Sequence, residues 1–287
     1  MTSPHTLLKA WNLRARKELG QNFLKEPTLA GRIVELARIG SDDLVLEIGA
    51  GLGAMTIPAA RQARRTIAVE KDRQLVPLLR SELLAQGLEN VTVIEQNILA
   101  MDIQQLAEGE GQPFLVIGNL PYNISSQVLV KLIQQRSAVR RAVLMFQKEL
   151  ADRLCASPGN KVYGRLSVLL QYCAELTLLR DVKAEMFFPK PKVGSTVLEI
   201  AFKPHIEPRV CDEALMVRVV QAAFGQRRKT LRNAMAGSLL ALKSTDAVEI
   251  LEGAGIDPRR RAETLSVEEF VRLTDEVAAF RERQGRE

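Results

Sequence analysis

Short, nearly continuous apolar runs punctuate the first two-thirds of the chain: DLVLEIG (43–49), TIAVEKD (66–72), VTVIEQN (91–97), FLVIGN (114–119) and AVLMFQ (142–147). Between them lie stretches of helical length, such as RQLVPLLRSELLAQ (73–86) and SSQVLVKLIQQ (125–135). Strands that are apolar on both faces, alternating with helices, predict a parallel sheet covered on each side. Two later runs, ELTLLRDV (175–182) and STVLEIAFKP (195–204), follow one another with no convincing helix between them and predict antiparallel edge strands. The segment KPHIEPRV (203–210), with two prolines, reads as a hinge. Past it the pattern is purely helical. Leu215, Val219 and Ala222 mark one apolar face; Phe270, Leu273, Val277 and Phe280 mark another, with Ser266 and Glu269 spaced as a capping box. The expected organisation is an α/β domain over 1–204 and a small all-helical domain over 205–287.

Composition refines this picture only at its margins. With 46% hydrophobic residues in 287, the chain can fill a substantial core, and its net charge of +6 permits an anionic partner without requiring one. Cys155, Cys173 and Cys211 are odd in number and far apart, and His5 and His205 are the only histidines, so neither a disulfide framework nor a metal site is expected. TLLKAWNLRARK near the N-terminus is interrupted by Lys9, Asn12 and Arg14, which argues against a secretory leader, and no run is long enough to span a membrane. A reducing, cytoplasmic setting follows as the expectation.

Two stretches carry candidate chemistry. EIGAGLGAMT (47–56) follows the first strand and precedes a helix; Gly49, Gly51 and Gly53 allow a tight turn and close approach of a ligand. Glu70, at the end of the second strand, lies where an acid accepts hydrogen bonds from a ribose. A turn serving only strand–helix packing explains the glycines but not the acid. The spacing suits a dinucleotide as well as S-adenosylmethionine, which offers the same adenosine to the same corner of such a fold. The second stretch is Asn119-Leu120-Pro121-Tyr122, at the carboxyl end of a core strand, where open α/β sheets bind ligands. Turn chemistry explains each residue singly. Together they suit an exocyclic base amine: the Asn119 side-chain oxygen and the Leu120 carbonyl accept its two N–H bonds, and Tyr122 stacks on the base. Hydride transfer has no use for that arrangement.

With these residues in place, the sequence resembles the bacterial small-subunit (16S) ribosomal RNA adenine N6-dimethyltransferases. The resemblance runs nearly end to end and rests on KELGQNFL (17–24), EIGAGLG (47–53), GNLPYNIS (118–125), YGRLSVLLQ (163–171), FFPKPKVGS (187–195) and QRRKTLRN (226–233), in that order. It implies a class I S-adenosylmethionine-dependent methyltransferase, Rossmann-like with a mostly parallel seven-stranded sheet, followed by a small helical domain. It implies dimethylation of two adjacent adenosines in a hairpin loop near the 3′ end of that RNA, in the course of small-subunit biogenesis. Carried over by position, Asn22 and Leu24 close over the cofactor, Gly49 and Gly51 face its methionine portion, Glu70 holds its ribose, and Asn119 also touches it. Asn119, Leu120, Pro121 and Tyr122 form the catalytic motif. At the end of the third strand the family usually carries an Asp that accepts from the cofactor's adenine amine; this chain has Asn97, which keeps an acceptor oxygen but loses the charge. Gly194 stands where many relatives have Asp.

Arg227, Arg228, Lys229 and Arg232 fall within two predicted helical turns, and Arg259, Arg260 and Arg261 add to the basic character. Such runs are often only solvated faces. Beside a base-modifying site they suit the RNA backbone, whose phosphates position a substrate without reading its sequence. KAWNLRARK (9–17) offers a further part of that surface. The expected partner is small-subunit ribosomal RNA within a partly assembled 30S subunit, bound by a monomer. Three rival readings are a large-subunit RNA adenine methyltransferase conferring antibiotic resistance, a noncatalytic RNA binder on the same fold, and a dinucleotide oxidoreductase.

Overall fold

The computed structural model describes residues 3–285. Strand β1 (Phe23–Leu24) is short; β2 (Leu44–Ile48), β3 (Arg65–Glu70), β4 (Val91–Glu95), β5 (Phe114–Asn119) and β6 (Val139–Gln147) follow the apolar runs, and β7 (Ala174–Val182), β8 (Phe187–Phe188) and β9 (Ser195–Phe202) complete the set. Seven of them form one sheet in the order β4-β3-β2-β5-β6-β9-β7, parallel from β4 to β6, with β9 antiparallel to β6. Every residue of β2, and β5 up to Gly118, is buried, which is why these strands lack the alternation of a half-exposed sheet. Helices Leu75–Ala85 and Ser125–Gln134 occupy the segments expected to be helical.

One strand placement departs from expectation. Of the two expected edge strands β7 lies at an edge, whereas β9 sits between β6 and β7. Burial explains the difference: β9 is buried from Ser195 through Ile200, whereas β7 is mostly exposed or half-buried along its length.

Strand order positions the site. The chain runs outward from β2 through β3 to β4 and then returns to place β5 on the other side of β2. The carboxyl ends of β2 and β5 are thus neighbours at the point where the order reverses, the usual location of a ligand crevice in such sheets. β1 pairs antiparallel with β8, Phe23 opposite Phe188 and Leu24 opposite Phe187.

The chain divides into two compact units, one running to Ala151 and including Glu175–Phe202, the other comprising Asp152–Ala174 and the chain from Lys203 onward. The change at residue 203 falls in the expected hinge. Residues 152–174, read with the first domain from their position along the chain, group instead with the C-terminal helices. Helix Arg165–Cys173 buries Val168, Leu170 and Cys173 among the helices Glu213–Phe224 and Val267–Gln284, and the Tyr163 ring meets Phe224 edge-on at 6.3 Å. In this unit the capping box forms as read: Glu269 N–H donates to Ser266 Oγ (3.2 Å) and Ser266 N–H to Glu269 Oε2 (2.8 Å).

Candidate active site

After Ile48 the chain turns through Gly49 and Gly51 at φ +76° and +55°, values that residues with a Cβ rarely adopt. A Cβ on Gly51 would also lie 3.1 Å from Phe23 Cε1, so the turn and the N-terminal segment approach closely because glycine is there. The Gly51 N–H donates to Glu70 Oε2 (2.8 Å) and the Asp72 N–H to Glu70 Oε1 (2.7 Å). These bonds hold the buried carboxylate rigidly. Burial pushes the Glu70 pKa up and the backbone donors pull it back. Each oxygen keeps lone-pair capacity for a further donor, such as a ribose hydroxyl.

The N-terminal segment is fastened across this turn. Gln21 Nε2 donates to Asp72 Oδ2 (2.7 Å), Arg16 lies 3.5 Å from Asp72 Oδ1, and Asn22 Nδ2 donates to the Gly20 carbonyl (3.1 Å). Lys25 N–H donates to the Met186 carbonyl (2.9 Å), continuing the β1–β8 pairing. Asn22 in turn offers its own carbonyl to Asn119 Nδ2 at 2.7 Å. That bond fixes the Asn119 amide: its nitrogen is engaged, and its Oδ1 makes no hydrogen bond among the described residues.

One cleft therefore gathers Asn22, Leu24, Gly49, Gly51, Glu70, Asn97, Asn119, Leu120 and Pro121, residues drawn from segments up to about a hundred positions apart. Tyr122 is not part of its lining. Its half-buried ring stands beside the cleft with the hydroxyl 2.8 Å from Ser195 Oγ, in the block FFPKPKVGS. Asn97 caps a short 3₁₀ turn, its Oδ1 accepting from the Leu99 N–H at 3.2 Å.

Sequence reading missed Glu47. It lies in β2 at 2% exposure, lines the cleft, and its Oε2 has no hydrogen-bond partner among the described residues. Burial pushes its pKa up to about 8. At neutral pH such a group is mostly the neutral acid, and the neighbouring Thr56 hydroxyl offsets part of the upward push. The signal was present as a lone acid within a run apolar on both faces, LVLEI. The glycine turn and the Glu70 acceptor together fit S-adenosylmethionine, which brings a ribose and a methionine portion.

In the helical unit the basic residues lie differently from expectation. Arg227, Arg228 and Lys229 occupy the turn between helices Glu213–Phe224 and Leu231–Ala236, and only Arg232 is on a helix. Pro and Gly are absent from KTLRN, so the helical pattern ran on; the break comes after Phe224, at Gly225. All four side chains are exposed and none has a carboxylate partner among the described residues, although Arg227 donates to the Lys161 carbonyl. Arg259 and Arg260 are committed, to Asp257 (3.0 Å) and to Glu269 (3.0 Å from Nη2 to Oε2).

A family model described as ribosomal RNA adenine dimethylase matches residues 12–279. The Ribosomal RNA small subunit methyltransferase A of Desulforapulum autotrophicum is 53% identical over 278 residues, covering 96% of each chain. A dimethyladenosine transferase from Plasmodium falciparum has a similar crystal structure, with TM-score 0.75 and 27% identity over 88% of this chain and 95% of that one. The 23S rRNA methyltransferase ErmE shares the fold, at TM-score 0.65 and 23% identity over 89% and 99% of the two chains.

Proposed function

The chain belongs to the ribosomal RNA adenine dimethylase family, and we propose from that membership and the geometry of the cleft that it dimethylates the N6 amines of two adjacent adenosines in small-subunit ribosomal RNA. The hairpin loop near the 3′ end is the target, the substrate is a partly assembled subunit, and the protein acts as a monomer in the cytoplasm. A ribosomal RNA substrate supports the cytoplasmic setting. The observation that carries the reading is the Asn119–Asn22 bond. It leaves Asn119 Oδ1 as an oriented acceptor at the cleft, unpaired among the described residues, which is what a planar amine needs to be held with its nitrogen facing a methyl donor.

S-adenosylmethionine, when bound, supplies a methyl group on a sulfonium. Glu70 would take its ribose, Gly49 and Gly51 its methionine portion, and Asn22 and Leu24 would cover it. Asn119 Oδ1 and the Leu120 carbonyl accept the two N–H bonds of the target adenine, and Pro121 fixes the backbone between Leu120 and Tyr122. Tyr122 stacks on the base. Alignment of this kind, without a strong base, contributes about 7–11 kcal/mol in well-oriented reactions.

Ser195 refines the expectation for Tyr122. Tyr122→Ala is expected to weaken target-base capture by about 1–3 kcal/mol, read as a raised KM for RNA. Tyr122→Phe keeps the ring and should leave transfer nearly unchanged. It also strands the Ser195 hydroxyl, a residue 1% exposed, so thermal unfolding should show a loss of about 1–3 kcal/mol. Equal damage to transfer from both substitutions would contradict stacking.

The exposed turn of the helical unit is assigned to the RNA backbone. Replacing Arg228 and Lys229 together by Ala should weaken RNA binding and lower the log–log salt slope by roughly 0.7–0.9 for each phosphate that is no longer neutralised, with cofactor affinity unchanged. An unchanged slope would make the turn a solvated surface only. The function itself is tested by methyl transfer from labelled S-adenosylmethionine to undermethylated small subunits, with naked large-subunit RNA in parallel. Label on the small-subunit RNA alone supports the reading; label on the large-subunit RNA alone, or none despite RNA binding, overturns it.

A further inference from the structure

The Asn22 carbonyl that engages Asn119 belongs to a segment tied down beside Glu70. Asp72, at 3% exposure, accepts from Gln21 Nε2 at 2.7 Å through Oδ2 and from the Gln74 N–H at 3.1 Å through Oδ1. The Gln21 amide is held at its other end too, because its Oε1 accepts from the Arg16 N–H at 2.8 Å. Turning that amide over would set donor against donor at Arg16 and oxygen against oxygen at Asp72. Its orientation is therefore fixed.

These bonds form one path between the two halves of the cleft. The Gly51 and Asp72 N–H groups hold Glu70, the Asp72 carboxylate holds Gln21, and the next residue along the chain, Asn22, presents its carbonyl to Asn119 Nδ2 at 2.7 Å. Pairing of Phe23 with Phe188 supports this carbonyl from the far side; Gln21 supports it from the near side, where the chain leaves the turn at Gly20. We propose that Gln21 is a positioning residue for methyl transfer: through Asp72 it sets the Asn22 carbonyl, and through that carbonyl the orientation of the Asn119 amide toward the target amine. The assignment rests on Asn119 accepting from the target adenine, the reading given above.

Reversing the Gln21–Asp72 bond tests it, in single-turnover transfer at saturating S-adenosylmethionine and about pH 8, well above the ordinary carboxyl range. Gln21→Glu sets two carboxylates against each other, and Asp72→Asn leaves one oxygen for two donors that now approach separate oxygens. Each single change is expected to slow transfer by about tenfold to a hundredfold, with the RNA concentration for half-maximal rate within about twofold of the parent's. Gln21→Glu combined with Asp72→Asn restores the bond with its donor and acceptor exchanged, and should recover the parent rate to within about threefold. In an Asn119→Ala background, Gln21→Glu should cost less than about threefold more, because the amide it orients is gone. Single variants that transfer at the parent rate, a folded double variant that does not recover, or a full tenfold further loss in the Asn119→Ala background each overturn the proposal while leaving the role of Asn119 standing. An Asn119→Ala protein that transfers as fast as the parent would instead contradict the reading of Asn119, and the proposal would fall with it.

Discussion

Asn119→Ala is expected to cut methyl transfer by about a hundredfold to a thousandfold with the fold intact, the scale seen when one aligning group is removed from a reacting centre. On the proposed reading the substitution deletes the acceptor for the target amine, and the Leu120 carbonyl alone leaves the nitrogen free to turn away from the methyl donor. It also deletes the bond to the Asn22 carbonyl, so cofactor affinity should fall by a smaller amount, about 0.5–1.5 kcal/mol, the net worth of a neutral hydrogen bond. Asn119→Asp should not rescue. Its carboxylate has no donor for the Asn22 carbonyl and would set oxygen against oxygen across the 2.7 Å now bridged by Nδ2. Single-turnover transfer alongside calorimetric binding separates the two effects: a large loss of rate with a small loss of affinity is expected, and the reverse would make Asn119 chiefly a cofactor clamp.

The second large effect is expected one residue earlier. Gly118 lies in β5 where a Cβ would sit 2.6 Å from the Ile48 carbonyl oxygen, at the end of the neighbouring β2. Backbone is the obstacle, so Gly118→Ala has no flexible side chain to push aside. The two strands must part at the place where the glycine turn and Asn119 begin. Overpacking of this kind costs about 1–3 kcal/mol, and the displacement should lower transfer beyond what the stability loss explains. Gly31→Ala is the matched control. Apart from its chain neighbours and the backbone of its own helix, Pro27–Leu36, no described atom lies within 4 Å of its added Cβ, and the change should be neutral or stabilising by about 0.5–1 kcal/mol. Thermal unfolding of the pair checks the contrast; equal melting temperatures would show that β2 and β5 have slack at this point.

Much of the architecture was legible because it is written in local pattern. Runs such as LVLEI and FLVIG, apolar on both faces, could only be central strands, and Ser266 with Glu269 signalled a helix start three residues apart. The meeting of EIGAGLG with GNLPY was legible too, through the rule that ligands sit at the carboxyl ends of parallel strands. What escaped depends on partners distant in sequence. Residues 152–174 join the helical unit because Tyr163 and Val168 find their burial there, and nothing within YGRLSVLLQ names those neighbours. Tyr122 could be read as a ring for stacking, but the Ser195 hydroxyl that holds its tip is 73 positions away. Glu47 was passed over because a lone acid in an apolar run reads as noise until the fold brings it to the cleft lining. Asn97 was read by its chemical capacity to accept; only the structure shows that part of that capacity caps the turn at the Leu99 N–H.

Placement of two methyl groups on the N6 of each of two adjacent adenosines can be read out by nuclease digestion and mass spectrometry of small-subunit RNA after reaction with methyl-labelled S-adenosylmethionine. One labelled fragment is expected, from the hairpin loop near the 3′ end, with neighbouring N6,N6-dimethyladenosines. Label on a ribose, on a ring nitrogen, or on a single adenosine at completion would contradict the proposed activity.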